Sequence, residues 1–441
     1  MTTAPTSRRV QWAMALAIGL LVAALNLVAW QALHGTVQAP DHSGPVAGLA
    51  YNGADRWLNP LQGEKPTDEA IARDLALLAP HTRRIRTYSA ADHPTLPAIA
   101  REHGLELMLG AYIDQRLDQN QRELTAAINL ARSHANIQRL IVGNETQLTA
   151  KLPPNRLMAY LDQARKALQS TNVRVSTAEP WHVWMAQPQM AQHVDFIAIH
   201  VLPYWEGESI DTAVQTSLAQ IRKVQDRFPG REVLVAEIGW PSNGQPVGQA
   251  RATAANQARF VRGFLQQAQA QGIDYVLIEA FDQPWKIETE GRAGPHWGLW
   301  DTWRQPKFAW TGPILADPHW QPKAWAASLL GLALALPFLL AAPRLRLAGG
   351  VALGAAAQGI ASLVVILLSI PLAHYLTPFN TLGLVLVLAA LTFISATLLA
   401  QVFEFAERFW PSPPSPPPPP PPPSDPTATP APASASSPPF I

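Results

Sequence analysis

Residues 233–244 read VLVAEIGWPSNG. Val233 to Ala236 read as a strand headed for a hydrophobic core, yet Glu237 closes it and Trp240, Pro241, Ser242 and Gly244 follow. A buried carboxylate is costly unless paired or hydrogen-bonded. The expectation is therefore a strand whose end opens onto a cleft.

Seven further stretches have the same character: VAGLAYN from Val46, TRRIRTYS from Thr82, LELMLGAYI from Leu105, RLIVGNET from Arg139, VRVSTAEP from Val173, VDFIAIHVLPY from Val194 and YVLIEAFDQPW from Tyr275. Helical runs such as TDEAIARDLALLA, with Thr67 as N-cap, separate most of them. Strands alternating with helices imply a parallel sheet, and eight such units in roughly 250 residues imply a (β/α)8 TIM barrel. A doubly wound open sheet is the competing arrangement, but no Gly-rich phosphate loop supports it.

In such barrels the active site lies at the carboxyl ends of the strands. Polar residues gather there: Asn52 on strand one, Arg86 and Tyr88 on strand two, Asn144 and Glu145 on strand four, His200 and Tyr204 on strand six, Glu237 on strand seven, and Glu279, Asp282, Trp285 and Lys286 on strand eight. Trp240 follows Glu237 closely. Glu145 and Glu237 can face each other across the mouth. Glycoside cleavage needs such a pair, one carboxyl group protonating the leaving oxygen while the other attacks or activates water. The bland alternative, that either glutamate merely pairs with Arg86 or Lys286, is left open by spacing alone.

Composition narrows the choice. Net charge is +1 and there are no cysteines, so neither a broad basic face for nucleic acid nor a thiol nucleophile is expected. The 12 histidines are scattered without ligand spacing, so no metal site is expected, and the proposed chemistry calls for no cofactor. Fifteen tryptophans fit core and membrane-interface positions or a cleft in which flat rings stack on sugars.

The chain also carries membrane-length apolar runs. VQWAMALAIGLLVAALNLVAWQAL, residues 10–33, is long enough to span, longer than a signal-peptide core, and preceded by Arg8 and Arg9. Three more occupy residues 323–402, with Arg344 and Arg346 between the first two of them. The positive-inside rule puts these arginines on the cytoplasmic side. Residues 1–9 and both termini then lie in the cytoplasm. The segment 34–45 is a linker, and a catalytic domain at 46–318 is extracytoplasmic, which means periplasmic at a bacterial inner membrane. No charged residue lies in the middle of a span, which argues against a transporter. Residues 411–441 are Pro-rich and are expected to be a disordered tail.

Two motifs together carry a family resemblance. VGNE at Val142–Glu145 and AEIGWPSNG at Ala236–Gly244 resemble glycoside hydrolase family 17, as do RTYS at Arg86–Ser89, EAFDQPWK at Glu279–Lys286 and HWGLWD at His296–Asp301. The resemblance spans residues 46–308 and implies a (β/α)8 enzyme acting on β-1,3-glucans, with Glu145 as acid/base, Glu237 as nucleophile and retention of configuration. It makes Tyr88, Asn144, Tyr204, Glu279, Trp285 and Lys286 sugar-binding candidates, with Glu279 able instead to orient Glu237. Ile238 and Gln283 depart from the familiar family pattern, which leaves subsite preference open. Hydrolysis and transglycosylation use the same two carboxylates. Attachment to a bilayer favours a glucan-remodelling enzyme beside a membrane glucan synthase. The alternative is a catalytically weak glucan-binding or assembly partner of such a synthase.

Overall fold

The computed structural model describes residues 8–317, 319–341, 347–372 and 378–409. The Pro-rich tail, Arg344 and Arg346 lie outside the described residues.

Eight parallel strands close into a barrel in sequence order. They are β1 (Leu49–Ala50), β2 (Arg84–Arg86), β3 (Glu106–Ala111), β4 (Ile137–Asn144), β5 (Arg174–Pro180), β6 (Ile197–Val201), β7 (Val233–Ile238) and β8 (Asp274–Leu277). All eight coincide with the expected strand stretches, and closure runs through Leu49 opposite Leu277. Helices follow on the outside. Thr67 accepts from the Ala70 amide to start the helix Asp68–Leu78, satisfying one of the donors that a helix N-terminus leaves free.

Side chains divide between two apolar layers. Ala50, Met108, Ile141, Ala178, Phe196, Ala198, Leu234, Ala236 and Val276 fill the barrel interior. A larger cluster, including Val235, Ile238, Trp240, Phe260 and Phe264, packs the barrel against its helices. The amino ends of the strands are tied by ions: Arg139 contacts Glu232 at 3.0 Å and Asp274 at 3.1 Å, and Arg84 contacts Asp274 at 3.1 Å. Charge at that end of a barrel reads as stability rather than catalysis.

The segment 34–45 is more than a linker. Thr36–Val37 pairs antiparallel with Ile314–Leu315. The buried Arg262 guanidinium donates to the carbonyls of Ala39, Pro40, Ala309 and Gly312 and to Asp41. One side chain thus gathers both ends of the barrel, a role that Arg262 gave no local sign of in the sequence.

Among the described residues, four helices are long and apolar enough to cross a membrane, with spans at Trp12–Leu33, Trp320–Ala341, Leu347–Ser369 and Leu386–Phe405. They match the four expected stretches. Ile18, Val22, Ala335, Leu339, Leu353 and Ala357 pack between them. A polar strand of contacts runs through this bundle: Asn26 Nδ2 donates to Ser328 Oγ at 3.1 Å, Ser362 Oγ to Asn26 Oδ1 at 3.1 Å and Trp30 Nε1 to Ser362 Oγ at 3.1 Å.

Candidate active site

Irregular pairing at the carboxyl ends of the strands aims the site residues. Between β6 and β7 the register moves from Ile199 opposite Val235 to His200 opposite Glu237, leaving Ala236 as an extra residue. Leu234 and Ala236 face the barrel interior while Val235 and Ile238 face the helices. Strict alternation would send Glu237 outward; the bulge turns it into the mouth. A second irregularity, between Ile141 and Asn144 in the β4–β5 pairing, precedes Glu145.

Glu145 itself has φ of 51° and follows Gly143 at 83°. A non-glycine residue in this region costs of order 1–3 kcal/mol and must be held by its surroundings. Its amide donates to Ala178 O at 2.8 Å, and its carbonyl accepts from Thr149 Oγ1 at 2.6 Å. Glu179, fully buried at the end of β5, then accepts the amides of Gln147 at 2.7 Å and Leu148 at 3.1 Å. Burial pushes the Glu179 carboxyl up to about 7, against the pull of these two amides and of His200.

The carboxylates meet across His200. Its Nδ1 lies 2.8 Å from Glu145 Oε1 and its Nε2 3.5 Å from Glu237 Oε1. Donor atoms of Glu145, His200 and Glu237 all fall within 4.8 Å of one another. A cation could be imagined there, but the charge is already compensated. Arg86 Nη1 sits 2.8 Å from Glu237 Oε1 and also donates to the Ala236 carbonyl that the bulge exposes, while Nη2 donates to Asn144 Oδ1 at 2.6 Å. Tyr88 donates its hydroxyl to Glu237 at 2.9 Å. Burial would raise the Glu237 carboxyl, but His200, Arg86, Lys286 and the Tyr88 hydroxyl outweigh it and hold the group below its ordinary value.

A second ion pair lies beneath. Lys286 Nζ contacts Glu279 Oε2 at 2.5 Å and Glu290 Oε1 at 3.8 Å. Burial disfavours the ammonium, yet Glu279, Glu290 and Glu237 more than offset it, so Lys286 stays charged. Of the pairings that the sequence left open, Glu237 does pair with Arg86, while Lys286 takes Glu279 rather than Glu145 or Glu237.

A cavity of about 560 Å³ opens above, lined among others by Glu145, His200, Trp205, Glu237, Glu290 and Trp297. That is the size of a small-molecule or oligosaccharide site. Trp205 and Trp297 lie 5.8 Å apart by ring centroids; Trp205 is the exposed ring of the two, at 36%, while Trp297 is buried behind it.

Some sequence candidates stand elsewhere. Tyr204 and Trp240 are wholly buried, 5.6 Å apart and edge-on, with Tyr204 donating to the Gln245 carbonyl and Trp240 to that of Arg251. They back the cavity wall instead of lining it, because the apolar faces expected to meet sugar are taken up by packing. Asp282 is also buried, ion-paired with Lys307 at 2.7 Å. Asn52 uses Oδ1 to accept the Ala54 amide at 3.0 Å and borders a smaller hollow of about 80 Å³ with Tyr88. Trp285 is half-buried and donates to Gln283 at 2.8 Å.

The sequence places His200 at the mouth without assigning it a role, and it does not single out Glu179, Trp205 or Glu290. His200 and Glu179 carry the signal used for the others, a polar residue at the carboxyl end of a strand. Glu290 gives none, since it lies in the short helix Ile287–Glu290 beyond β8.

The family model of the BtgE/BtgC glycoside hydrolase domain matches residues 48–298, more than half of the chain. The chain belongs to this family. It is a glycoside hydrolase or transglycosylase of family 17, as the two glutamate motifs imply. Among its relatives is a glucan 1,3-beta-glucosidase of Schizosaccharomyces pombe, 29% identical over 55% of this chain and 81% of the relative. A second glucan 1,3-beta-glucosidase, from Arthroderma benhamiae, is 26% identical over 54% of this chain and 82% of its own. Among solved structures, the family 17 beta-1,3-glucanosyltransferase of Rhizomucor miehei is similar with a TM-score of 0.53 and 26% identity, covering 59% of this chain and 95% of that one. The matched BtgE/BtgC region contains all eight strands and both candidate carboxylates.

Proposed function

We propose that this chain is a membrane-anchored, retaining enzyme that acts on β-1,3-glucan outside the cytoplasm, by hydrolysis, transglycosylation or both. The observation that carries the mechanism is the approach of Glu145 and Glu237, whose donor atoms lie within 4.8 Å of each other. Carboxyl groups ~5–5.5 Å apart suit retention, whereas inversion needs ~6.5–9.5 Å to admit a water. The substrate class is supported by the relatives, two glucan 1,3-beta-glucosidases and a glucanosyltransferase also studied as an active-site mutant with laminaritriose.

In this reading Glu237 attacks the anomeric carbon. It is buried and held ionised by Arg86, His200 and Tyr88, so the nucleophile is charged before substrate arrives. Glu145, with its side chain 28% exposed, delivers the proton to the leaving oxygen. Water or a sugar hydroxyl, activated by the same Glu145, then releases the glycosyl group. Trp205, 36% exposed at the cavity, supplies stacking surface. The four apolar helices support anchoring. The arginine pattern of the sequence supports a cytoplasmic placement of both termini, a barrel on the far side and, in a bacterium, an inner-membrane address. A membrane glucan synthase is the partner that such an anchor suits. The presence of both carboxylates, close together at the cavity, favours this reading over the binding-only alternative.

Incubation of the protein with β-1,3-gluco-oligosaccharides, followed by chain length and by anomeric configuration in early NMR spectra, tests the reading. Retained β-products are expected, with longer chains if transfer dominates. Inverted products would refute the mechanism, and inertness towards β-1,3-linkages the substrate.

A further inference from the structure

Trp57 and Trp303 are the most exposed tryptophans of the barrel, at 74% and 64%. They are not scattered. The Arg56 guanidinium lies over both rings, its Cζ 4.7 Å from the Trp57 centroid and 4.2 Å from that of Trp303. The two indoles come from loops more than two hundred residues apart in the chain and meet on one cation.

Both loops are locked. Asp55 Oδ1 accepts the amides of Trp57 at 2.7 Å and Leu58 at 3.2 Å. Asp301 Oδ1 accepts those of Trp303 at 2.8 Å and Gln305 at 2.9 Å. Arg304, beside Trp303, is held by Asp74 through bonds of 2.9 and 2.7 Å. Neither indole contributes to an apolar cluster, so core packing does not explain them. Rigidly displayed aromatic surface costs little conformational entropy when a ligand covers it.

The loop that carries Trp57 also reaches segments that border the catalytic cleft. Asn59 Nδ2 donates to Glu288 Oε1 at 3.1 Å, and the next two residues, Thr289 and Glu290, line the cavity. On the inner side of the same loop, Asn52, Pro60, Glu64 and Lys65 share a hollow with Tyr88, whose hydroxyl reaches Glu237. One loop therefore carries Trp57 and also borders residues of the catalytic wall.

We propose that Trp57, Arg56 and Trp303 form a remote binding platform for β-1,3-glucan chains that extend beyond the catalytic cavity. This rests on the substrate class argued above. Indole faces stack on the apolar faces of pyranose rings, and a guanidinium already positioned between them offers N–H donors to sugar hydroxyls. The platform engages long chains; a trisaccharide seated at the carboxylates does not reach it.

The test compares the full-length protein in detergent with its Trp57→Ala/Trp303→Ala variant on laminaritriose and on a long-chain β-1,3-glucan. The expected result is a rise of about tenfold in KM for the polymer, with kcat/KM for laminaritriose and the melting temperature unchanged, and partial recovery in Trp57→Phe/Trp303→Phe. An unchanged polymer KM overturns the proposal, and so does an equal loss on both substrates, which would make the residues supports of the cavity. If tryptophan emission assigned to Trp57 and Trp303 by difference shifts on transfer to lipid nanodiscs while polymer KM ignores the substitutions, the patch is a lipid contact and the proposal falls. A wild-type protein inert to both glucans would instead remove the substrate reading itself, a failure visible before any variant is made.

Discussion

His200 Nδ1 stands 2.8 Å from Glu145 Oε1, and the opposite nitrogen of the same ring faces Glu237 at 3.5 Å. One buried imidazole therefore orients both carboxylates. Substituting it by an apolar residue of similar size leaves Glu145 without its only side-chain partner among the described residues. His200→Phe is expected to lower kcat by about 10²-fold, the scale of a misplaced reacting group, with a smaller change in KM. Steady-state kinetics on β-1,3-gluco-oligosaccharides check this, and an equal fall in kcat and rise in KM would place His200 in substrate binding.

His200 and Arg86 together set how acid the medium can become before the charged form of Glu237 is lost. The carboxyl is held below its ordinary value of 4.5 by His200, Arg86 and Lys286 against the effect of burial. A depressed folded value means that the stability and activity tied to the charged form are complete above 4.5 and disappear as pH falls through the folded value. The acid limb of kcat/KM is therefore expected below pH 4.5. Arg86→Met removes one compensating cation and should move that limb upward. A pH–rate profile in which the variant's limb stays put would show that Arg86 does not hold the nucleophile ionised.

Glu237→Gln should abolish turnover by at least about 10³-fold while binding persists, because an amide cannot form the glycosyl-enzyme bond. Glu237→Ala opens space for a small anion, and azide is expected to restore product formation as a glycosyl azide of inverted configuration. The product's anomeric configuration, read by NMR, checks the assignment; β-azide would point to Glu145 as the rescued position.

Glu179 works one step removed. It holds the amides of Gln147 and Leu148, which close the strained turn at Glu145. Its carboxyl is raised by burial from 4.5 to about 7. Here the sign is reversed: the protonated form is favoured in the fold, so stability from this group is complete below pH 4.5 and is lost as pH rises to about 7. Thermal unfolding followed by near-ultraviolet circular dichroism should show the wild-type midpoint declining over that interval and a Glu179→Gln variant without that slope. Glu179→Ala should also cost activity, since Glu145 then leaves its turn.

The alternation of apolar runs and helices was enough to read all eight strands, because each has to bury two faces and shows it locally. Glu145 and Glu237 were legible because each ends such a run. What escaped has a physical reason. The bulge at Ala236 depends on the register against His200, which no local pattern encodes. Tyr204 and Trp240 look like cleft aromatics by position, but three-dimensional packing uses their faces. Glu290 reaches the cavity from a segment beyond the last strand. The docking of residues 34–45 depends on Arg262 and on strand Ile314–Leu315, both more than two hundred residues away.

The helical bundle invites a last test. Asn26 bonds both Ser328 and Ser362, joining the helix Arg8–Leu33 to the helices Trp320–Ala341 and Leu347–Leu372. An interhelical hydrogen bond inside an apolar bundle contributes about 0.6–2 kcal/mol, so Asn26→Leu should loosen the first helix without unfolding it. The chain contains no cysteine, and Gly19 faces the side chain of Leu332, so a Gly19→Cys/Leu332→Cys pair gives a clean reporter. Oxidative cross-linking is expected to be rapid in the parent and several-fold slower when Asn26→Leu is added. Equal rates would mean that the Asn26 bonds do not hold the helix in place.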